Sequence, residues 1–176
     1  MLLNQLPVLD KGYVAFVDSC NNSSKLKELT LEFMRSADGY SIADIASLTL
    51  VIKCPLFVQL NLSKFNLKII TTLNQELEAY YPNVGEIGGK DRETNQLIAD
   101  DIERTTEALL INPKSYQADG CDRFVSQVIT PINAYTTLIV QGSYNEWKRF
   151  CGQNNMPAPI KSYTETVKQI LDMEWN

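Results

Sequence analysis

Histidine, the usual general base near neutral pH and a common metal ligand, is missing from all 176 residues. That removes serine triads, Cys–His dyads and histidine zinc centres together. A thiol nucleophile is the next candidate, but Cys20, after Ser19, has no base partner to lower its pKa. Cys20, Cys54, Cys121 and Cys151 form no Cys-x-x-Cys pair, which reads as reduced, mostly buried thiols rather than a zinc centre. Asp100, Asp101 and Glu103 gather carboxylates, yet adjacent residues on a helix point apart, so they make a solvated face and no metal site. The run from Gly85 to Lys90 is one spacer short of a phosphate-binding loop, and Asp91 stands where Ser or Thr is needed. It reads as a surface loop. Tyr144, Trp147 and Phe150 have faces that stack on planar rings, but their helical spacing assigns them to a core.

The elements that position these residues follow from periodicity. Leu6 to Leu9 and Tyr13 to Val17 flank Asp10-Lys11-Gly12, a hairpin with glycine supplying a positive φ. Asn22-Ser23-Ser24 caps a helix to about Arg35, Asp38-Gly39 ends it, and a helical turn follows over 42–46. Leu48, Leu50, Ile52 and Cys54 alternate with Thr49, Val51 and Lys53 as a strand does. Pro55 opens a helix from Leu56 to about Phe65, and Leu67 to Thr72 suits either a strand or more of that helix. A helix from Thr94 to Leu110 is expected to turn Leu97, Ile98, Ile102, Thr105 and Leu109 inward, with Asp100, Glu103 and Glu107 outward. Asn112-Pro113 is expected to break it, with another helix over 115–129. Ala134 to Val140 is a β-branched strand that Gly142 turns. Ser143 through Glu146 then forms a capping box for a helix ending near Gly152. After Met156-Pro157-Ala158-Pro159 comes a last helix, Ile160 to about Met173.

Composition bounds the class. Hydrophobic residues at 44% and charged residues at 21% describe a globular chain, read as one domain over 1–176. A net charge of −5 lacks the positive field that nucleic acid binding needs, so nucleic acid is not an expected partner. No apolar run nears the roughly 20 residues that cross a bilayer, and the N-terminus lacks the basic and apolar segments of a signal peptide. The expectation is a cytoplasmic protein with no membrane association.

Four runs, in order, carry a resemblance. They are Leu9-Asp10-Lys11-Gly12-Tyr13-Val14 with Val17-Asp18, then Leu31-Glu32-Phe33-Met34, then Ile52 through Val58. The fourth starts at Thr130-Pro131 and Tyr135-Thr136 and continues from Ile139 to Phe150, where Gly142-x-Tyr144-x-x-Trp147-x-x-Phe150 spans a strand-to-helix turn. Over the larger part of the chain these resemble the flavin-dependent thymidylate synthases, also called thymidylate synthase complementing proteins. The resemblance implies a mixed α/β (α+β) domain, a small central sheet with flanking helices, assembled as a homotetramer with active sites between subunits. It further implies FAD and a reduced nicotinamide, used to carry a one-carbon unit from methylenetetrahydrofolate to carbon 5 of dUMP.

The same alignment shows what is absent. Ser63-Lys64-Phe65-Asn66 falls at the family's Arg-His-Arg signature, so only Lys64 keeps a charge. Ala37 to Ser41 has none of the family's histidines, and two further family arginines fall at Gln127 and Asn154. Each arginine-to-amide change removes a bidentate donor, about 2–5 kcal/mol when buried. The matching residues that remain, among them Pro131, Tyr135 and Trp147, are types that packing explains. The reading is therefore a diverged, non-catalytic member that binds a protein partner or a pyrimidine nucleotide, with no cofactor unless the ancestral FAD pocket survives. Such a compact derivative suits a virus or mobile element. Lys64, Asn66, Gln127 and Asn154 are the candidate nucleotide-pocket residues, against plain surface solvation. The alternatives are an active FAD- and folate-dependent enzyme acting on dUMP or a related pyrimidine, and an unrelated α/β domain.

Overall fold

The computed structural model describes residues 4–19, 46–121 and 130–175, and the side chains of all of these except 71–77, 113, 114, 117 and 175. The helix expected after Asn22, the turn expected over 42–45, and Gln127 lie outside the described residues. Among the described residues, five strands form one antiparallel sheet: β1 (Gln5–Val8), β2 (Gly12–Ser19), β3 (Ser47–Pro55), β4 (Lys68–Ala79) and β5 (Ala134–Ser143), in the spatial order β1-β2-β3-β5-β4. The helices of the described residues are α1 (Leu56–Leu62), α2 (Arg92–Ala118), α3 (Tyr144–Cys151) and α4 (Ala158–Trp175), with a 3-10 turn at Val84–Glu86.

The period-2 pattern determines which face of the sheet is covered. Leu48, Leu50, Ile52 and Cys54 of β3 and Leu138 and Val140 of β5 are buried, and the register pairs Leu50 with Val140 and Ile52 with Leu138. Against them pack Val58 and Leu62 of α1, Trp147 and Phe150 of α3, and Tyr163, Val167 and Ile170 of α4. Trp147 is wholly buried and donates its indole N–H to the Leu48 carbonyl at 3.0 Å, so the core holds no orphan donor there. The segment expected over Leu67 to Thr72 resolves as strand from Lys68, with Ile69 opposite Val140. Helix α1 stops at Leu62, three residues short of the expected end, and a turn over 63–66 feeds β4.

Four expectations are corrected. The hairpin forms, with Leu6 opposite Val14, but the positive φ of 57° belongs to Leu9 and not to Gly12. Gly12 is needed for close approach. A Cβ there would strike the Tyr163 hydroxyl and lie 2.7 Å from the Val8 carbonyl oxygen and 2.9 Å from that of Lys53. Gly142 does not turn the chain either: it sits inside β5 opposite Leu48, where a Cβ would strike the Leu67 side chain. Helix α2 runs through Pro113 to Ala118, because an exposed helix can hydrate the carbonyl that the proline leaves unpaired. Its inner face is also rotated. Thr106 is buried and Ile102 and Leu109 half-buried, while Leu97 is 65% exposed, Ile98 39%, and Thr105 is exposed. Among the described residues the helix meets mainly the 3-10 turn and β4, and Ile102, Thr106 and Leu109 mark the stripe that is covered.

Candidate functional site

The helix after β5 begins without a loop. Ser143 ends the strand and caps α3, its hydroxyl accepting from the Glu146 N–H at 3.2 Å. The return half of the expected capping box is replaced. The Glu146 carboxylate accepts instead from the Asn66 backbone N–H at 3.3 Å and pairs with Arg149 at 3.0 Å. This tethers the 63–66 turn to α3, and the Phe65 ring meets the Phe150 ring edge-on at 5.6 Å. One residue beyond Gly152, Gln153 donates its side-chain N–H to the buried Asn61 of α1 at 3.3 Å. The two segments singled out by sequence, the 63–66 turn and the α3–α4 connection, are therefore neighbours.

Of the candidates, Asn154 lines a cleft of about 470 Å³ between the α3–α4 connection and α4. Lys64 and Asn66 are exposed on the adjoining turn and do not line it. What the sequence reading missed is the opposite wall: Lys161, Thr164 and Lys168 project from one face of α4 into this cleft. Their i, i+3, i+7 spacing was visible as a helix stripe, but nothing local says that the stripe faces Asn154.

The charges in the cleft are unequal. Lys161 lies 3.7 Å from Glu165 one turn on, while Lys168 makes no ion pair among the described residues. Cys151, the last residue of α3, lines the cleft too. Burial pushes its thiol up to about 12; the nearby Lys168 pulls it down and Asp172 pushes it up. A thiol in that state is protonated and is not a nucleophile. With two lysines and a protonated thiol in its lining, the cleft can hold an anion.

A second polar cluster joins the hairpin to the far end of the sheet. The Tyr135 hydroxyl donates to Asp10 at 2.6 Å, and Lys53 pairs with Glu78 at 2.7 Å with its ammonium 5.6 Å from the Tyr135 ring centre. The Tyr163 hydroxyl donates to the Lys53 carbonyl at 2.8 Å. Burial and then Asp10 raise the Tyr135 phenol well above the ordinary range, and burial and then Cys54 raise that of Tyr163. These groups hold β1–β2, β3, β5 and α4 together, and their phenols keep their protons. Among the described residues no three Cys, Asp or Glu side chains gather where they could hold a metal ion, and no helix is long and apolar enough to cross a membrane.

No protein-family model matches the chain, and no curated protein matches it in sequence. Solved structures do. The chain is similar to the UMP/dUMP methylase PolB from Streptomyces cacaoi bound with 5-Br dUMP, at TM-score 0.69 and 15% identity, covering 96% of this chain and 93% of that one. It is equally similar to the same methylase bound with 5-Br UMP, at TM-score 0.70 and 15% identity, covering 96% and 92%. The fold is a thymidylate synthase-like mixed α/β domain, with an antiparallel sheet and flanking helices.

Proposed function

We propose that this chain binds a pyrimidine nucleotide in the cleft beside Asn154 and does not turn it over. The observation carrying the reading is the convergence of Asn154, Lys161 and Lys168 on one polar cleft. The similar methylase structures hold 5-Br dUMP and 5-Br UMP, which supports the ligand class by analogy of fold. A carboxamide beside an ammonium suits a phosphate ester: the lysine supplies charge and the amide supplies directed N–H donors.

Methyl transfer to carbon 5 asks for more. It needs several fixed cations on the phosphate and the pyrimidine oxygen, strengthened in the transition state. Here Lys168 is one flexible point charge, Lys161 is offset by Glu165, and the signature positions Lys64 and Asn66 stand outside the cleft. Losses of about 2–5 kcal/mol per missing buried charge leave no useful rate. A cleft of about 470 Å³ takes a mononucleotide. The function is read without a flavin step. We also read the chain as a cytoplasmic homo-oligomer. Helix α2, with Leu97, Ile98 and Ile111 all exposed, favours pairing with a second copy over standing alone in water.

Calorimetric titration with dUMP tests the first reading, beside an assay for thymidylate formation with FAD, NADPH and methylenetetrahydrofolate added. Saturable heat from dUMP with no methylated product is expected, and the purified protein should be colourless. Absence of dUMP binding, or steady production of thymidylate, would end this reading.

A further inference from the structure

A second concavity, of about 410 Å³, opens where α2 lies across the start of β5, and it shares no lining residue with the Asn154 cleft. Its walls are apolar: Phe57, Tyr80, Ile102 and Ile132. The Phe57 and Tyr80 rings meet edge-on at 6.0 Å, so the wall they form offers aromatic surface to an occupant. Its polar groups are few, and they can be accounted for one by one.

The Asn133 side-chain amide donates one proton to the Tyr80 carbonyl at 2.8 Å and the other to the Thr106 hydroxyl oxygen at 3.0 Å. Both of its donors are thereby committed, which also settles which way the carboxamide points. Its oxygen accepts from no donor among the described residues. Thr106 is only 5% exposed, and its oxygen already accepts from Asn133. Its own O–H proton has no acceptor among the described residues. The Tyr80 phenol is spent on Glu86 at 2.6 Å, and Asp101 at the rim is held by Arg104 at 2.6 Å, so neither adds a free charge or donor.

The Thr105 hydroxyl also lines the cavity but is exposed to water. What remains away from water is one acceptor and one donor, on the hydrogen-bonded pair Asn133 and Thr106. A buried hydroxyl proton without a partner is a cost that an occupant accepting from it removes. We infer that this cleft is a binding site for a neutral, flat ring bearing a lactam or carboxamide. The ligand N–H would donate to Asn133 Oδ1, its carbonyl would accept from Thr106 Oγ1, and its ring would lie against Phe57, Tyr80 and Ile132. A charged ligand is disfavoured because no unpaired ion lines the cleft to offset its desolvation. The site is independent of the nucleotide reading and stands whether or not dUMP binds.

The test uses 2-pyridone as the probe and amide-resolved NMR on the full chain. Addition of 2-pyridone should shift the resonances of Ile102, Thr106, Ile132 and Asn133 together, with one saturation curve. N-methyl-2-pyridone keeps the ring and the carbonyl but has no N–H, and it should bind at least tenfold more weakly. Ile132 is 59% exposed, so Ile132→Trp fills the mouth without touching the core and should abolish the shifts. Thr106→Val should weaken binding about tenfold where Thr106→Ser retains it. If Thr106→Val does not fold, the N-methyl comparison on the unaltered chain decides alone. Equal affinity for the two pyridones, or shifts confined to residues elsewhere, would overturn the site.

Discussion

Replacing Gly12 by alanine separates two accounts of why a glycine stands there. If the turn needed a positive φ at this position, the cost would be set by the backbone and would not depend on any distant side chain. The structure places the demand elsewhere, on the hydroxyl of Tyr163 and two carbonyl oxygens, at 2.7 Å (Val8) and 2.9 Å (Lys53) from the new Cβ. The carbonyls belong to paired strands and cannot retreat, so overpacking should cost about 1–3 kcal/mol. The Tyr163 hydroxyl must also leave its 2.8 Å hydrogen bond to Lys53, which adds about 1 kcal/mol. The sum is roughly 3 kcal/mol, or a fall of roughly 1.5 M in the urea midpoint. Tyr163→Phe alone should cost about 1 kcal/mol through the lost hydrogen bond. In that background the alanine no longer meets a hydroxyl, so the double variant should be at least about 1 kcal/mol more stable than the two single costs predict. Urea unfolding of the four proteins, followed by tryptophan fluorescence, measures the cycle directly. Costs that add to within about 0.5 kcal/mol would show that the close approach to Tyr163 is not what Gly12 serves.

Lys168→Gln should weaken dUMP binding about tenfold or more, whereas Lys161→Gln should have a smaller effect because Glu165 already offsets that charge; calorimetry compares the two. In alkali the fold should lose stability. Burial first, then Glu86 for Tyr80 and Asp10 for Tyr135, raises these phenols, and burial with Cys54 raises that of Tyr163. Their folded pKa values exceed the unfolded value near 10, so their contribution is complete below about pH 10 and is lost as pH rises past it. The urea midpoint should therefore fall above about pH 10, with phenolate absorbance from these tyrosines appearing only on unfolding; a flat midpoint to about pH 11 contradicts this. Pro113→Ala should restore a helix hydrogen bond within α2 and stabilise the chain by about 2 kcal/mol, read as a higher unfolding midpoint and slower amide exchange across 109–118. Leu97→Lys with Ile111→Lys should lower the sedimentation coefficient toward that of a monomer and leave far-UV circular dichroism unchanged, since both side chains are 65% exposed.

Some of this molecule was readable residue by residue. The alternation from Leu48 to Cys54 names a strand and the face it buries, and that face is the one packed in the core. Ser143 marks the start of α3, and Trp147 and Phe150 are core as their spacing implies. Where the reading failed, the deciding neighbour was far off in the chain. Glu146 left its capping box for Asn66, 80 positions earlier, and α2 turned Leu97 outward because, among the described residues, it meets the body along one stripe. Gln127, which lies outside the described residues, takes no part in that comparison.

The amino-acid order by itself determined the strands, the helix caps, the apolar faces and the lack of a histidine-based chemistry, because these depend on residues within a turn or two of one another. The placement of β3 beside β5, the meeting of Asn154 with Lys161 and Lys168, and the single hydrogen-bonded unit made by Thr106 and Asn133 came only with the folded chain. Periodicity records which side of an element is apolar. It does not record which distant element will cover that side, since that choice is made by burying all the faces at once.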